Sequence, residues 1–340
     1  MEKGRRVEAE TALAAAAEES EAGALAKYAE LVSQHGGLCR TNLTSDAWHL
    51  LHPTAAPHLF GFRSWEETKA YLFILWPELE QPAPGAETAA MCEYEKCLIA
   101  KMRMHQAFKM ETLSATWDRD ATVIGRYIQE WAPKWGEAGK DFSILDISKG
   151  FLARTLPQKY KDAGMTNICG VPDGKDFMTD VIRSNTMMTR AGYSDKVHHS
   201  GVRCISWGTP RGLSYEHTVL YLARCTEQRL VELWGPRLEK CPEGMAMLSD
   251  RGFAGTARLY PNFNAQLTPK FLMKRLQFTA GEVSSDRELC KLRYTCEVAF
   301  ARVVEEAGLK DVITYGFWNI LDAMNHWGHA NVNLHSALCL

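Results

Sequence analysis

Hydrophobic periodicity changes near residue 140 of this 340-residue chain. Before that point apolar residues recur every three or four positions, which is the period of one face of a helix. After it they fall in short β-prone runs separated by turns that contain glycine and proline. The longest aliphatic and aromatic run, Tyr71–Trp76, is far shorter than the roughly 20 residues of a membrane span. The sequence therefore predicts a helical region followed by a mixed sheet covered by helices, with no membrane helix.

The charged residues are unevenly distributed. Residues 1–30 carry seven Glu against four Lys and Arg, a net charge of −3, whereas the whole chain carries −2. The remaining chain is close to neutral, so any binding of nucleic acid has to come from a local basic patch. Residues 1–30 also lack the apolar core of a secretory signal, and we therefore expect the ten cysteines to be reduced thiols.

Two pairs of residues have side chains that commonly bind zinc. They are Cys92 with Cys97, and His326 with His329. Neither pair has a second pair at the spacing of a zinc site, so we expect all four residues to be structural.

Three helices are predicted between residues 94 and 135. Asp118 or Asp120 can cap the third helix, Ala121–Trp135, after a tight turn. The stretch 96–134 has seven basic and four acidic residues, a net charge of +3. These features predict a helix-turn-helix that binds DNA, with an ordinary helical bundle as the alternative.

Two aspartates follow short strand candidates in the second half of the chain. Asp173 comes after Asn167–Val171, and Asp250 comes after Met245–Ser249. Carboxylates placed at strand ends can converge at one edge of a sheet. Further strand candidates are Val202–Trp207, Leu213–Leu220 and Val312–Tyr315, and Tyr260–Ala280 is expected to be irregular.

A third carboxylate, Glu297, lies in a helix predicted from about residue 284 to 307, at a spacing that we expect to face the core. A buried carboxylate needs either a cationic partner, here Arg293 or Arg302, or a metal ion. Three converging carboxylates suit two Mg²⁺ or Mn²⁺ ions about 4 Å apart, which activate an attacking water or hydroxyl group and stabilise the leaving oxygen.

Several motifs occur in the order found in one enzyme family. The sequence resembles the DDE-superfamily endonucleases of PIF/Harbinger-type transposases and their host-derived relatives. The segments that carry the resemblance are VPDGKDF around Asp173, YSDKVHHSGVRC at 193–204, MLSDRGFAG at 247–255, PNFNAQLTPKFL at 261–272 and LRYTCEVAFARV at 292–303. Upstream, FGFRSWEETKAYLFILWP and METLSATWDRDATVIGRYIQEW resemble the DNA-binding region of such proteins, so that the likeness covers about residues 57–305.

The sequence departs from the family pattern in two places. The Lys-His-His order of the family appears as Lys196-Val-His198-His199. The family's Gly-x-x-Ser-Asp loop has no counterpart in residues 224–244.

The resemblance implies a ribonuclease-H-like α/β catalytic domain preceded by an all-α helix-turn-helix region. The implied divisions are a partly disordered leader at 1–56, the DNA-binding region at 57–140, the endonuclease domain at 141–320 and a C-terminal tail at 321–340. The family catalyses metal-dependent cleavage of DNA in the nucleus, and a separate DNA-binding partner protein or a homodimer is compatible with it. By this resemblance the catalytic and metal-binding residues are Asp173, Asp250 and Glu297, and the residues contacting phosphate or DNA are Lys196, His198, His199, Arg251, Arg119 and Arg126.

Two other functions remain open from the sequence. A host-captured relative could bind DNA or a partner without cleaving it. A plain helix-turn-helix regulator is the third alternative, although it would leave the second half of the chain without a role.

Overall fold

The computed structural model describes residues 43–82, 90–143, 148–183, 185–234, 242–253, 256, 263–267, 269 and 277–335. Within these ranges the chain combines helices with a mixed sheet, as the sequence predicts. No helix of these ranges is long and apolar enough to span a bilayer. The helices are α1 Asp46–Leu51, α2 Ala55–Phe60, α3 Trp65–Leu75, α4 Glu93–Gln106, α5 Met110–Trp117, α6 Ala121–Ser143, α7 Lys149–Thr155, α8 Gln158–Asp162, α9 Thr186–Gly192, α10 Glu227–Trp234, α11 Ala280–Glu306 and α12 Leu321–Leu334. The strands are β1 Ile168–Met178, β2 Tyr193–Ser194, β3 His199–Gly208, β4 Ser214–His217, β5 Tyr221–Leu222, β6 Met245–Leu248 and β7 Phe263–Leu267, and 3₁₀ turns cover Arg251–Phe253 and Tyr315–Ile320.

The sheet joins an antiparallel part to a parallel part. Its main path runs β2-β3-β1-β6-β7, and β4 and β5 also pair with β3. β1 is antiparallel to β3 but parallel to β6, and β6 is parallel to β7. β1 therefore lies at the junction, between the long hairpin strand β3 and the parallel pair.

Helices cover both faces of the sheet at this junction. Side chains of β1 and β6 alternate, so that Ile168 and Leu248 pack with α8 and α11, whereas Cys169 and Met247 pack with α7 and α10. Strands that are apolar on both faces belong in a three-layer arrangement of helix, sheet and helix.

The predicted strand before Asp173 is longer than expected. The sequence places its end at Val171, whereas β1 continues to Met178 and contains Asp173. The strand continues because residues 171–178 pair with β3, while the pairing with β6 ends at Gly170. Pro172 lies within this extension, and proline is tolerated there because the edge of the strand that faced β6 is unpaired.

The sequence analysis missed one strand and predicted one that does not form. Phe263–Leu267, placed in an irregular stretch, forms β7. Val312–Tyr315, expected to be a strand, forms only one bridge, between Ile313 and Thr179. Single-sequence periodicity is weak for short edge elements, because the partner strand determines whether they pair.

The helices of residues 46–143 share one core with the end of the chain, so the expected separate domain at 57–140 has no core of its own. Trp135 of α6 stacks edge-on against Trp327 of α12, with ring centroids 4.5 Å apart. Gly136 allows the close approach of the two helices, because a Cβ at this position would lie 2.7 Å from Ala323. The residues expected to be a tail at 321–340 therefore include a buried helix, α12.

The expected leader at 1–56 is also folded in part. Leu43 is fully buried, and Asp46 at the start of α1 accepts hydrogen bonds from Trp65 and Lys69 of α3. Residues 1–42 of that prediction lie outside the described residues.

A lysine lies inside the helical core. Lys101 of α4 is fully buried, and its Nζ has no hydrogen-bond partner among the described residues. The ammonium group lies 4.8 Å from the ring centroid of Trp327 and 5.1 Å from that of Phe62. Burial lowers the pKa of Lys101 to about 7.

Candidate active site

Asp173 and Asp250 meet at one side chain of α11. Asp173 lies within β1, and Asp250 follows the neighbouring parallel strand β6. One terminal nitrogen of Arg293 lies 4.0 Å from Asp173 Oδ1 and 3.8 Å from Asp250 Oδ2. Because both oxygens lie so close to one nitrogen, the two carboxylates are at most about 8 Å apart, a separation compatible with ligands of ions about 4 Å apart.

A third carboxylate at this place is Glu227, which the sequence analysis did not identify. Glu227 is the first residue of α10, within the stretch where the family loop had no counterpart. Two glycines make room for its carboxylate: a Cβ on Gly174 would lie 2.6 Å from Glu227 Oε1, and a Cβ on Gly252 would lie 1.9 Å from Oε2. A glycine close after each aspartate, at 174 and at 252, is the sequence signal for a close approach of another group. This signal does not identify Glu227 as the group that approaches.

Crowding of negative charge shifts the pKa values of this cluster. Burial is the main cause that raises the pKa of Glu227 to about 7, and repulsion by Asp250 and Asp173 adds to it. Burial likewise raises the pKa of Asp173, against the attraction of Lys196 and Arg293. The site therefore disfavours a full set of negative charges unless cations approach it.

Glu297 does not face the core as predicted. Its side chain is exposed, and the buried face of α11 is made by Leu289, Leu292, Thr295, Cys296, Phe300 and Val303. The expected face has the same helical spacing but shares only Phe300 with this set; it comprises Cys290, Arg293, Tyr294, Glu297, Phe300 and Ala301. The alternative ion pair of Glu297 with Arg293 or Arg302 is absent from the described residues, because Arg293 contacts the two aspartates and Arg302 donates to the carbonyl of Val332.

Glu297 nevertheless remains beside the site. It follows Arg293 by four residues, so the two side chains leave α11 on the same side, about 6 Å apart along the axis. Asp173 and Glu297 both help to raise the pKa of Cys296, which burial chiefly raises.

The residues expected to contact phosphate have different surroundings. Lys196 donates from Nζ to the carbonyl of Gly174, at 3.3 Å, and so lies beside Asp173. Arg251 is exposed and lies over the ring of Phe278. His198 is exposed with a left-handed backbone (φ 52°), and His199 lines a groove with Asp180 and Tyr315 beyond the end of β1.

A buried ion pair supports the cluster from the antiparallel side. Arg203 of β3 binds Asp176 of β1 with two hydrogen bonds, from Nε at 2.5 Å and from a terminal nitrogen at 2.9 Å. The same guanidinium donates to the carbonyl of Cys225, two residues before Glu227. Arg203 thereby ties the start of α10 to β1.

The donor atoms of the cluster suit a hard divalent cation. Asp173, Asp250 and Glu227 offer carboxylate oxygens, which Mg²⁺ and Mn²⁺ prefer. As they stand, however, no three His, Cys, Asp or Glu side chains within the described ranges are placed to share one ion. The guanidinium of Arg293 lies between the two aspartates, so the residues fit such an ion in kind and would have to move to bind it.

Three of the buried histidines form a cluster elsewhere in the fold. His217 of β4 stacks on His329 with centroids 4.0 Å apart and planes 4° apart, and its Nε2 lies 2.5 Å from Nδ1 of His326. The lone pairs of imidazole lie in the ring plane, so those of parallel stacked rings do not converge on one point. This cluster packs β4 against α12.

The predicted third helix and its turn are present, and the helix is longer than expected. Asp118 has a left-handed backbone, and Asp120 accepts a hydrogen bond from the backbone of Thr122 at the start of α6. α6 runs to Ser143 rather than Trp135, through Pro133, because its buried face continues against α12. Arg126 is exposed and Arg119 half-buried.

Comparison with known proteins gives no relative. No family model, no curated protein and no solved structure matches the chain.

Proposed function

We propose that the protein is a metal-dependent endonuclease of the DDE transposase type that cleaves phosphodiester bonds of DNA. The observation that carries the proposal is the meeting of Asp173 and Asp250 at one guanidinium, since two carboxylates from neighbouring strands form the base of a two-metal phosphoryl-transfer site. The motif order that resembles the PIF/Harbinger family supports the same reaction.

A ribonuclease-H-like fold for residues 141–320 is part of this proposal. Its support is the position of β1 between an antiparallel and a parallel neighbour, with α11 packed across β1 and β6. The arrangement brings residues from two strands and one helix to one place.

In the proposed reaction Asp173 and Asp250 would hold two Mg²⁺ or Mn²⁺ ions, with Glu297 as the third ligand implied by the family and Glu227 as a further carboxylate. Ions bound there would activate the attacking water and stabilise the leaving oxygen. Lys196 offers an ammonium group to the scissile phosphate beside Asp173. In a transposase, the released 3′-hydroxyl would then act as the nucleophile.

DNA is the proposed partner, bound by α5 and α6. Arg119 and Arg126 are the proposed contacts with phosphate or bases, and Lys134 lies further along α6. His198, His199 and Arg251 are further candidates for contacts with DNA. A nuclear location, a separate DNA-binding partner and a homodimer belong to the same proposal.

The test is nicking of supercoiled DNA by the full chain with Mg²⁺ or Mn²⁺. We expect Asp250→Asn to lower the rate by orders of magnitude, because it removes a ligand charge. Asp311→Asn, an exposed change outside α5, α6 and the carboxylate cluster, is the matched control and should leave the rate unchanged. Equal cleavage by wild type and Asp250→Asn would contradict the catalytic assignment.

A relative that binds DNA without cleaving it is the second candidate. The position of Arg293 favours it, because a guanidinium between the two aspartates offsets part of their negative charge without a metal. DNA binding with no metal-dependent nicking by wild type would select this candidate.

A further inference from the structure

Arg293 is held between the aspartates by charge rather than by hydrogen bonds. Its distances of 4.0 and 3.8 Å to the two carboxylates exceed the 2.7–2.9 Å typical of charge-assisted hydrogen bonds. Its buried Nε has no hydrogen-bond partner among the described residues. By contrast, Arg203 in the same sheet binds Asp176 through two short hydrogen bonds.

A loosely held guanidinium is easier to displace than a hydrogen-bonded one. Arg203 would lose two good hydrogen bonds if it moved, whereas Arg293 would lose only Coulomb attraction and would regain partners for its donors. The side chain of Arg293 is 13% exposed and belongs to a helix whose neighbouring side chains Tyr294 and Glu297 are exposed, so solvent is close.

We propose that Arg293 is an internal stand-in cation, which occupies the aspartates in the free protein and moves to a DNA phosphate when a divalent ion binds them. This inference rests on the function proposed above. A phosphate offers the planar guanidinium the paired acceptors that it lacks between Asp173 and Asp250. The site is thereby kept from binding metal tightly until nucleic acid is present.

The proposal has a thermodynamic signature. If Arg293 competes with the metal and binds DNA once displaced, metal and DNA each raise the affinity of the protein for the other by the same factor. Removal of the guanidinium should strengthen metal binding in the free protein and weaken the coupling between the two ligands.

The first measurement is titration of the full chain with Mn²⁺ alone at pH 8, without DNA, by calorimetry. We expect Arg293→Gln to bind Mn²⁺ about tenfold more tightly than wild type, because a charge about 4 Å from the ligands has gone. Arg293→Lys should lie between them, and it guards against a folding defect of the Gln variant. Arg287→Gln, an exposed change of equal charge on α11, is the control and should match wild type.

The second measurement repeats the titration with Ca²⁺ in the presence and absence of a short DNA duplex. We expect the duplex to raise the Ca²⁺ affinity of wild type several-fold and that of Arg293→Gln much less. Unchanged or weaker Mn²⁺ binding by both Arg293 variants, with binding by wild type abolished in Asp250→Asn, would overturn the role of Arg293 and leave the nuclease proposal standing. Absence of Mn²⁺ binding in wild type and both variants would overturn both.

Discussion

Single residues in this protein carry charge in places where water is scarce. Glu227 and Lys101 are the two extremes, an acid whose pKa is raised to about 7 and a base whose pKa is lowered to about 7. Each fold-induced shift lowers stability at neutral pH, because the folded chain disfavours the charged form that the unfolded chain adopts. Neither shift could be read from the sequence, since both depend on what surrounds the residue after folding.

Replacement of Glu227 by Gln should stabilise the metal-free protein at pH 8. The folded pKa of Glu227 lies above its ordinary value of 4.5, so its contribution to stability is fully present below pH 4.5 and is lost as the pH rises through about 7. We expect a gain of about 1–2 kcal/mol in the free energy of unfolding at pH 8, after allowance for solvent, and little gain at pH 4.5. Urea denaturation with EDTA measures it, and Glu232→Gln on the exposed side of α10 is the control. Destabilisation at pH 8 would show that Glu227 is held by a stabilising cation.

Replacement of Lys101 by Met should remove a pH dependence. The folded pKa of about 7 lies below the ordinary 10.5, so the stability of wild type rises between these values as the unfolded chain loses its extra proton. We expect Lys101→Met to be more stable than wild type by roughly 2–4 kcal/mol at pH 7 and by much less at pH 10. Urea denaturation at both pH values tests this, with the exposed Lys109→Met as the control. A stability difference that does not change with pH would mean that the ammonium is not buried in solution.

Among the elements, the helices were predicted best and the strand ends worst. The hydrophobic periodicity of α4, α5 and α6 predicted that these helices exist and in what order. An amphipathic helix can be recognised because its pattern lies within one continuous segment. β7 and the second half of β1 depend on pairing with distant strands, which no local pattern contains. The carboxylate cluster shows the same division: motifs pointed to Asp173 and Asp250, which the fold brings together, whereas no pattern pointed to Glu227 and Glu297 was placed on the wrong face of α11.

Because α6 packs closely on α12, alanine substitutions at two glycines of α6 should change stability in different directions. Gly136→Ala should cost about 1–3 kcal/mol, because its Cβ would overlap Ala323, even though alanine favours helices. Gly125→Ala, whose Cβ would meet only a methionine methyl at 3.6 Å, should instead be neutral or stabilise by up to about 1 kcal/mol. Thermal and urea unfolding of the two variants measure the difference. The same sign of change for both would refute close packing of α6 on α12.

The proposed binding of DNA by α5 and α6 can be tested by charge reversal. Reversal of Arg119 and Arg126 to Glu should weaken duplex binding and reduce its dependence on salt, because two phosphate contacts are lost. Reversal of Arg154 and Lys161, which are exposed on α7 and α8, changes the net charge equally and serves as the control. Affinity and salt dependence can be measured by fluorescence anisotropy. Equal effects of the two double charge reversals on DNA binding would show that α6 is not the main DNA-binding element.

At the scale of the whole molecule, the sequence predicted two successive domains, whereas the core is shared. Trp135 and Phe177 belong to one apolar cluster with Trp327 and Phe317, although they lie far apart in the chain. The composition change near residue 140 marks a change of secondary structure, and it does not mark an independent unit. A shared core is invisible to local patterns, because it depends on which faces meet.

A fragment of residues 43–143 should therefore fail to fold alone. Without α12 it exposes Trp135 and Lys101, which lie against Trp327 in the full chain, and we expect a loss of near-ultraviolet circular dichroism and a poorly dispersed amide spectrum. The full chain serves as the control. A cooperative unfolding transition of the fragment would restore the helical region as a domain.

The buried position of α12 also has a consequence during synthesis. Trp327 leaves the ribosome roughly 190 residues after Trp135, which at about 5–20 residues per second is a delay of roughly 10–40 s. During that interval the aromatic side of α6 has no native partner, and nascent chains on neighbouring ribosomes can associate through it. A cell that makes this protein in large amounts should therefore need a chaperone that shields α6 until α12 emerges.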